Sequence, residues 1–574
     1  MTLLADPEAL APRRAGSARR LWELPLRAHV AALAVVLMAL VPLIGTGSSF
    51  SADEGAAIVQ ATSLSSGDGW IVEHPLPEVD PTGASYPLEL SERGPAGTAP
   101  FAKHPLYALL LAGADRLAGI TAMVLLSLLG TVAAAGLAAT LATRLDPAIG
   151  RPTVWVVGLG SPLLFDGYLV IAHSLGAAAG AGAVLCAVMA LDRRSAALAA
   201  AVGPCVALAV LLRSEALLLG LALAAVAGAT ALRRRPAWPA LVVAATAGGA
   251  AMAARFGEKL WVGTIVGRGG NVAGTVTGGG VAAGEGLRGK VDGFVLTWLT
   301  PNYSGDTGHG LLLLLMVAAV AAAAVCARRR PERGRPVVLA GLVAAVAATG
   351  ALVAGPRMVV PGLLMTFPVA VAGLVLLGRR SLDSIGARMA TGTAAIFVMA
   401  VAATQYSTGG SGEWGGRYFA LAIPVAVPVL LLALYRHRDL LTPDVARRSV
   451  AALAVCSVVM SVMAVGSIRG AHRVTADMVD AVERAAPEGG VVVTTYPAMP
   501  RFGWSIFESR RWLLSTPSDL DGLVGRLAAN GVHEFTFVTR DLARDRPTLA
   551  GLRVVPAHGR ADGTGLQVFV VDGG

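Results

Sequence analysis

The stretch 310–327, GLLLLLMVAAVAAAAVCA, decides the architecture of this chain, and the three arginines at 328–330 follow it directly. It carries no charge, and about 20 apolar residues are enough to cross a bilayer. Similar stretches recur along the 574 residues, of which 55% are hydrophobic and 15% are charged. Soluble domains carry charge on roughly a quarter of their residues. The composition therefore predicts a mainly α, polytopic membrane helix bundle and excludes a soluble enzyme, a disordered regulator and a fibrous protein.

Spacing and length predict about thirteen membrane spans. They lie at 29–46, 120–143, 153–172, 175–191, 196–212, 216–232, 238–254, 310–327, 337–353, 358–377, 389–404, 418–435 and 450–466. A cleaved signal peptide is the alternative for the first of them, and either interpretation leaves Asp53 outside the cytoplasm. Segment 106–118 is apolar but contains Asp115 and Arg116, so it predicts an interfacial helix.

Arginines mark every second loop between these spans. The basic loops contain residues 144 and 151, 193–194, 233–235, 328–335, 379–388 and 436–448. Because basic residues concentrate in cytoplasmic loops, the alternation predicts a multi-pass protein of the cell membrane with a cytoplasmic tail at 1–27. The membrane domain then covers 28–467, with outer loops at 47–106 and 255–309, and residues 468–574 lie outside the cytoplasm.

Residues 468–574 differ in character from the spans. Short β-type runs occur at 490–494, 512–515, 534–539, 552–556 and 566–571, and the spacing at 474–486 is helical. Ser518 is the expected N-cap of a further helix over 518–529. The pattern predicts a small extracytoplasmic α/β domain. It contains no phosphate loop, metal spacing or nucleophile elbow, so a structural or substrate-guiding role is expected.

Charge and cysteine usage limit the partners. The net charge is +10, but no basic run alternates with aromatic residues, so nucleic acid is not an expected partner and membrane lipids are. The four cysteines all fall inside apolar spans, where they act as small hydrophobic side chains. Their placement predicts neither a disulfide framework nor a metal site.

Asp53 and Glu54 directly follow the first span, in the sequence Ser-Ala-Asp-Glu at 51–54. Ser51 and Glu54 have the spacing of a capping box that begins a helix. A carboxylate held at the membrane boundary can also act as a general base. Local sequence leaves both interpretations open.

Further candidates lie near the ends of spans. Lys103 and His104 close the first outer loop, and Lys103 is one of only three lysines; it could hold a phosphate or serve as an interfacial anchor. Arg213 and Glu215 form either a neutralised turn or a polar site. Asp166 lies within an apolar span, where an acid is a functional candidate by default, as is nearby His173 more weakly.

The segment 413–419, Glu-Trp-Gly-Gly-Arg-Tyr-Phe, places Arg417 and Tyr418 at the outer entrance of a late span. The charge rule disfavours an arginine there. Two glycines allow the backbone to approach a ligand closely, and a guanidinium suits bidentate phosphate binding. An aromatic anchor with a snorkelling arginine is the structural alternative.

Taken in order, these elements resemble the GT-C superfamily of membrane glycosyltransferases, and within it the polyprenyl-phosphate-sugar-dependent protein-mannosyltransferase-like and aminoarabinose-transferase-like members. The resemblance covers roughly 28–467. It rests on the acidic pair at 53–54, the Lys-His-Pro-Leu-Tyr element at 103–107, the Arg-Ser-Glu turn at 213–215 and the Gly-Arg-Tyr element at 416–418. Position 104 is His where this family often has Pro.

The resemblance implies an inverting transfer of a mannose- or arabinose-like sugar from a polyprenyl-phosphate donor to an extracytoplasmic glycan, lipid or protein acceptor. Asp53 is then the expected catalytic base, with Asp166 as the second catalytic candidate. Seven residues are then expected to bind the substrates: Glu54, Lys103, His104, Arg213, Glu215, Arg417 and Tyr418. Fixed cations can stabilise a monophosphate leaving group, so no metal or other cofactor is expected. A transporter or lipid flippase, or an assembly factor of the cell envelope, is the alternative.

Overall fold

The computed structural model describes residues 22–88, 91–267, 287–300, 307–329, 334–353, 360–404, 414–438, 441–541, 549, 552–558 and 565–572. The α-helices are α1 Leu26–Ile44, α2 Ala52–Ser66, α3 Pro105–Leu145, α4 Gly150–Gly158, α5 Leu163–Asp166, α6 His173–Arg193, α7 Ala196–Leu212, α8 Ala216–Arg233, α9 Trp238–Val266, α10 Leu287–Leu299, α11 Thr307–Arg329, α12 Arg335–Leu352, α13 Leu363–Thr366, α14 Pro368–Leu376, α15 Ile385–Thr404, α16 Ile423–His437, α17 Pro443–Ala485, α18 Met499–Phe502 and α19 Leu520–Ala529. The strands are β1 Glu92–Gly94, β2 Gly97–Ala99, β3 Val491–Thr494, β4 Arg511–Leu514, β5 Glu534–Thr539, β6 Arg553–His558 and β7 Gln567–Asp572.

A bundle of long apolar helices forms most of the molecule. Ten helices of the described part are long and apolar enough to cross a membrane, with α16 counted together with the 3-10 turn Arg417–Ala422 before it, and α7, with 17 residues, is slightly shorter. Together they coincide with eleven of the thirteen predicted spans. The polytopic helical fold predicted from the composition is therefore confirmed.

The other two predicted spans, 153–172 and 358–377, are interrupted helices. The first consists of α4 and α5, and the second contains α13 and α14. A proline marks each break, since proline removes a backbone donor and crowds the preceding turn: Pro162 directly precedes α5, and Pro368 is the first residue of α14. Gly415 contacts both interrupted segments: its N–H donates to the Pro361 carbonyl at 2.9 Å, and a Cβ there would lie 2.3 Å from Pro162 Cγ. The breaks thus accommodate the segment that leads to Arg417.

A separate helical segment follows the first loop, at the position where the sequence predicted an interfacial helix. The first part of α3 begins with Pro105 at its first helical position and ends at a kink, where Ala118 and Gly119 leave the helical conformation. Arg116 Nε donates to the Ser65 carbonyl at 3.1 Å, and its Nη2 donates to the Leu64 carbonyl at 3.1 Å. The kink separates this helix, tied to the end of α2, from the membrane span that begins near residue 120.

The C-terminal α/β domain is built on the last membrane helix. Helix α17 has 43 residues and runs without interruption from the last span into the domain, so position 467 lies inside a helix. The five-stranded sheet has the order β4-β3-β5-β7-β6. Strand β3 is parallel to β4 and β5, and β7 is antiparallel to β5 and β6.

One detail of the domain prediction is wrong. Helix α19 begins at Leu520, and its N-cap residue is Asp519, with no side-chain cap hydrogen bond. The Ser518 hydroxyl instead contacts the Thr516 hydroxyl at 2.9 Å. Local hydrogen bonds among short polar side chains compete with capping at such turns.

The first loop and the C-terminal domain share two apolar cores. Tyr86 and Leu88 are buried with Trp512 in one of them, and Leu76 and Val79 are buried with the domain sheet in the other. The Leu514 N–H at the end of edge strand β4 donates to the Ser85 carbonyl at 2.9 Å. The domain therefore packs on the face of the bundle that carries Asp53, which we call the Asp53 face.

Candidate active site

Asp53 lies in the first turn of α2, and two arginines from distant parts of the chain contact its carboxylate. Arg417 Nη1 donates to Oδ2 at 2.9 Å, and Arg501 Nη1 lies 3.6 Å from Oδ1. The Asp53 side chain keeps 27% of its exposure. A carboxylate that is reachable and paired with two guanidinium groups is an unusual concentration of charge at a bundle surface.

Lys103 adds a third cation at this carboxylate. Burial raises the pKa of Asp53, but the charges of Lys103, Arg417 and Arg501 outweigh it and hold this pKa well below its usual range. Lys103 Nζ lies 4.7 Å from the centre of the Phe101 ring, a favourable cation–π distance. The structure thus brings together Asp53, Lys103 and Arg417, which are far apart in sequence.

The carboxylate of Glu54, the next residue, accepts hydrogen bonds from the backbone around this cluster. Its Oε2 accepts from the N–H groups of Phe50 and Ser51, each at 2.8 Å, and the capping box with Ser51 is confirmed. Its Oε1 accepts from the Val170 N–H at 2.8 Å. With 2% exposure, Glu54 joins the end of α1, the start of α2 and segment 167–172. This geometry orients the neighbouring Asp53.

Two buried acids position the Lys103–His104 segment. Glu258 lies in the last third of α9. Its Oε1 lies 2.8 Å from His104 Nδ1, and its Oε2 accepts from Arg255 Nη1 at 2.6 Å. Glu92 Oε2 accepts from the Ala102 N–H at 2.9 Å. Burial lowers the pKa of His104, although Glu258 opposes the shift. His104 is therefore expected to be neutral at pH 7 and to act as a packed, hydrogen-bonded support for Lys103.

Arg417 is positioned by two glycines in the left-handed conformation. Gly415 and Gly416 have φ values of 72° and 69°, which glycine adopts at little cost. A Cβ on Gly416 would lie 2.5 Å from Thr297 Cγ2. The close approach that the sequence suggested toward a ligand is thus made toward the protein itself. Trp414 stacks on Phe165 with ring centres 5.9 Å apart, which fixes the segment on α5.

The remaining candidates lie around this cluster rather than on Asp53. Arg213 and Glu215 are buried and form a bidentate ion pair, in which Arg213 Nε donates to Oε2 at 3.1 Å. His173 is fully buried, and the charges of Arg213, Arg417 and Lys103 act on it. The turn thus has the ion-paired form that was the structural alternative.

Asp166 and Tyr418 are both buried. Asp166 ends α5 at 1% exposure. The Tyr418 ring lies 5.2 Å from the Arg417 guanidinium carbon, so it packs behind the arginine. Glu413, the first residue of the Arg417 motif, lies outside the described residues. Within the described ranges, no three His, Cys, Asp or Glu side chains form a group that could hold a metal.

Sequence reasoning missed Arg501, Glu92 and Glu258. Arg501 lies in α18 of the C-terminal domain, in Met-Pro-Arg-Phe at 499–502, and many other arginines surround it in sequence. Glu92 lies in a loop rich in Pro, Gly and acids, and Glu258 lies in the part of α9 that extends past the predicted span. The sequence carries no periodic signal that would have singled out any of the three.

Comparison with known proteins gives structural matches only. No family model matches the sequence, and no curated protein matches it significantly. ArnT from Cupriavidus metallidurans aligns over 97% of this chain and 99% of its own, with 14% identity and a TM-score of 0.47. The archaeal oligosaccharyltransferase AglB from Archaeoglobus fulgidus, in complex with an inhibitory peptide and a dolichol-phosphate, aligns over 92% of this chain and 70% of its own, with 11% identity and a TM-score of 0.52. The AglB alignment shows that this chain shares the polytopic helical fold of that archaeal oligosaccharyltransferase.

Proposed function

We propose that this protein is an inverting glycosyltransferase that moves a sugar from a polyprenyl phosphate to a hydroxyl group of a glycan, lipid or protein outside the cytoplasm. One observation carries the proposal: three cations from three separate segments, Lys103, Arg417 and Arg501, converge on the partly exposed carboxylate of Asp53. Cations held in place near a leaving group stabilise the negative charge that develops there.

The proposed chemistry is a single displacement. Asp53 takes the proton of the acceptor hydroxyl, whose oxygen forms a bond to the anomeric carbon of the donor sugar. The bond between that carbon and the phosphate oxygen breaks, and the electron pair leaves with the polyprenyl phosphate. Arg417 and Lys103 bind the phosphate as its charge increases. Attack from the face opposite the leaving group inverts the anomeric centre.

The ion pairs of Asp53 indicate how donor binding would change its basicity. Ion pairs with cations lower the basicity of Asp53, and a phosphate that binds these cations competes with the carboxylate for them. Donor binding then raises the basicity of Asp53 at the moment when a base is needed. The AglB structure contains a dolichol-phosphate, which belongs to the class of lipid proposed as the carrier here.

The decisive experiment is a transfer assay with purified protein and a panel of radiolabelled polyprenyl-phosphate sugars, mannose- and arabinose-linked donors included. Asp53→Asn keeps the size of the side chain and removes its basicity, so transfer should fall by ~10²–10⁴-fold while folding is retained. Asp166→Asn is the matched comparison. If Asp166→Asn abolishes transfer and Asp53→Asn does not, the two roles must be exchanged; if neither matters, the proposed function is wrong.

A further inference from the structure

The C-terminal domain places one arginine inside the candidate active site. Helix α18 packs on the first turn of α2 so closely that a Cβ on Gly55 would lie 1.7 Å from the Arg501 carbonyl oxygen. Met499, at the start of α18, is fully buried in the core that the domain shares with the first loop. The backbone of Arg501 is therefore held by packing on both sides, and its side chain extends toward Asp53.

The Arg501 guanidinium is buried without a full set of partners. Its side chain is 9% exposed, and its Nε has no hydrogen-bond partner among the described residues. The Asp53 oxygen at 3.6 Å is beyond ordinary hydrogen-bond distance. A guanidinium has five N–H donors, and burying a charge without close partners costs several kcal/mol. Such an arrangement is expected where a ligand supplies the missing acceptor.

The charges around Asp53 are also unbalanced. Lys103, Arg417 and Arg501 all act on this single carboxylate, while Glu54 is bonded to backbone N–H groups. Glu92 also acts on Lys103, but burial raises its pKa to about 7, so it is only partly ionised at neutral pH. A phosphodiester donor carries one negative charge, and a phosphate monoester approaches two. The excess of cations over acids at this position matches a phosphate group better than it matches a neutral sugar.

We infer that Arg501 binds the phosphate of the polyprenyl-phosphate donor and, together with Arg417, forms a two-arginine clamp in which Asp53 stands when no donor is present. The inference rests on the proposed function and extends it to the C-terminal domain, which then completes the active site. Phosphate oxygens replace the Asp53 carboxylate between the two guanidinium groups. The displaced carboxylate is left free to accept the acceptor proton.

Binding of decaprenyl phosphate to the purified full-length protein in detergent tests this inference without relying on turnover. The uncharged alcohol decaprenol is the reference ligand. Arg501→Gln should weaken decaprenyl phosphate binding by about 10-fold or more, as expected for loss of a hydrogen bond between charged groups, and should leave decaprenol binding unchanged. Arg501→Lys should recover part of the loss. Arg553→Gln, at an exposed position on the opposite edge strand β6, is the matched control and should bind as the wild type does.

Asp53→Asn separates the clamp from a purely structural ion pair. Removing the competing carboxylate charge should tighten decaprenyl phosphate binding, and the gain should shrink when Arg501→Gln is added. Unchanged phosphate binding in a folded Arg501→Gln protein, checked by its thermal unfolding, would overturn the inference, as would a defect confined to the KM of the acceptor. Wild-type protein that binds decaprenyl phosphate no better than decaprenol would instead refute the proposed function itself.

Discussion

At the scale of single residues, the charges of Lys103, Arg417 and Arg501 lower the basicity of Asp53. Sequence position identified Asp53, Lys103 and Arg417 because each carries a charge at the end of a span, where charge must be paired or functional. It could not identify Arg501, since a residue of a soluble domain obeys no such restriction. The capping-box spacing of Glu54 with Ser51 was visible in the sequence. The further hydrogen bonds that Glu54 accepts from the Phe50 and Val170 N–H groups were not.

Arg417→Lys is predicted to weaken donor binding even though the charge is retained. An ammonium group cannot form the planar, bidentate contact of a guanidinium, so the affinity for decaprenyl phosphate should fall by about 10-fold. Arg417→Ala should cause a larger loss. Titration of the purified variants measures both effects. Wild-type levels of binding and transfer in Arg417→Ala would remove Arg417 from the site.

Glu92 predicts a pH dependence near neutrality. Burial raises the pKa of Glu92 to about 7, against the opposing charge of Lys103 and the hydrogen bond from Ala102. Below this pH the acid is neutral and leaves the charge of Lys103 uncompensated, and above it the carboxylate weakens the attraction of Lys103 for an anion. A phosphate monoester itself gains charge at about pH 6, so the contribution of Glu92 is measured by comparing variant and wild type at each pH. Glu92→Gln should bind decaprenyl phosphate more tightly than the wild type at pH 8 and about as tightly at pH 6. An equal ratio of the two affinities at both pH values would contradict this role of Glu92.

The same shift predicts a change in stability with pH. The raised pKa means that the folded protein binds a proton at Glu92 more tightly than the unfolded chain does. Stability is therefore lost as pH rises from the ordinary glutamate pKa of 4.5 to about 7. Glu92→Gln should raise the Tm at pH 8 more than at pH 4.5, which thermal unfolding in detergent measures.

At the scale of elements, the helices were predictable and their contacts were not. Apolar length identified eleven helical spans, but it also predicted uninterrupted spans at 153–172 and 358–377, where the structure has breaks. The sequence did not show that both breaks meet Gly415, because that contact joins three segments that are remote in the chain. The β-runs of the C-terminal domain were placed correctly because alternation and turn residues are local signals.

Gly55→Ala is predicted to break the contact between α2 and α18. Alanine normally favours a helix over glycine by about 1 kcal/mol, but here its Cβ would overlap the Arg501 carbonyl, and overpacking of this kind costs about 1–3 kcal/mol or more. Gly113→Ala, in the interfacial helix and with nothing within 4 Å of its Cβ position, is the control and should be neutral or stabilising. Equal Tm values for the two variants would show that the contact between α2 and α18 accommodates the added methyl group at little cost in stability.

At the scale of the whole molecule, loop charges predict the orientation in the membrane. Because arginine-rich loops alternate with neutral ones, the N-terminus should be cytoplasmic and the C-terminal domain should lie outside. A phosphatase reporter, active only outside the cytoplasm, should be active when fused after Gly574. A second reporter, which works only in the cytoplasm, should be inactive when fused at the same position. Activity of this second reporter would reverse the assignment and place the Asp53 face inside.

The shared cores of the first loop and the C-terminal domain impose an order on biosynthesis. About 400 residues separate Leu88 from the strand that begins at Val491, and a ribosome needs roughly 20 to 80 s to make them at 5–20 residues per second. Throughout this interval Tyr86, Leu88 and Val79 have no domain core to enter. The first loop therefore lacks its packing partners until the C-terminal strands have been made, and Arg501 can contact Asp53 only after helix α18 has been synthesised.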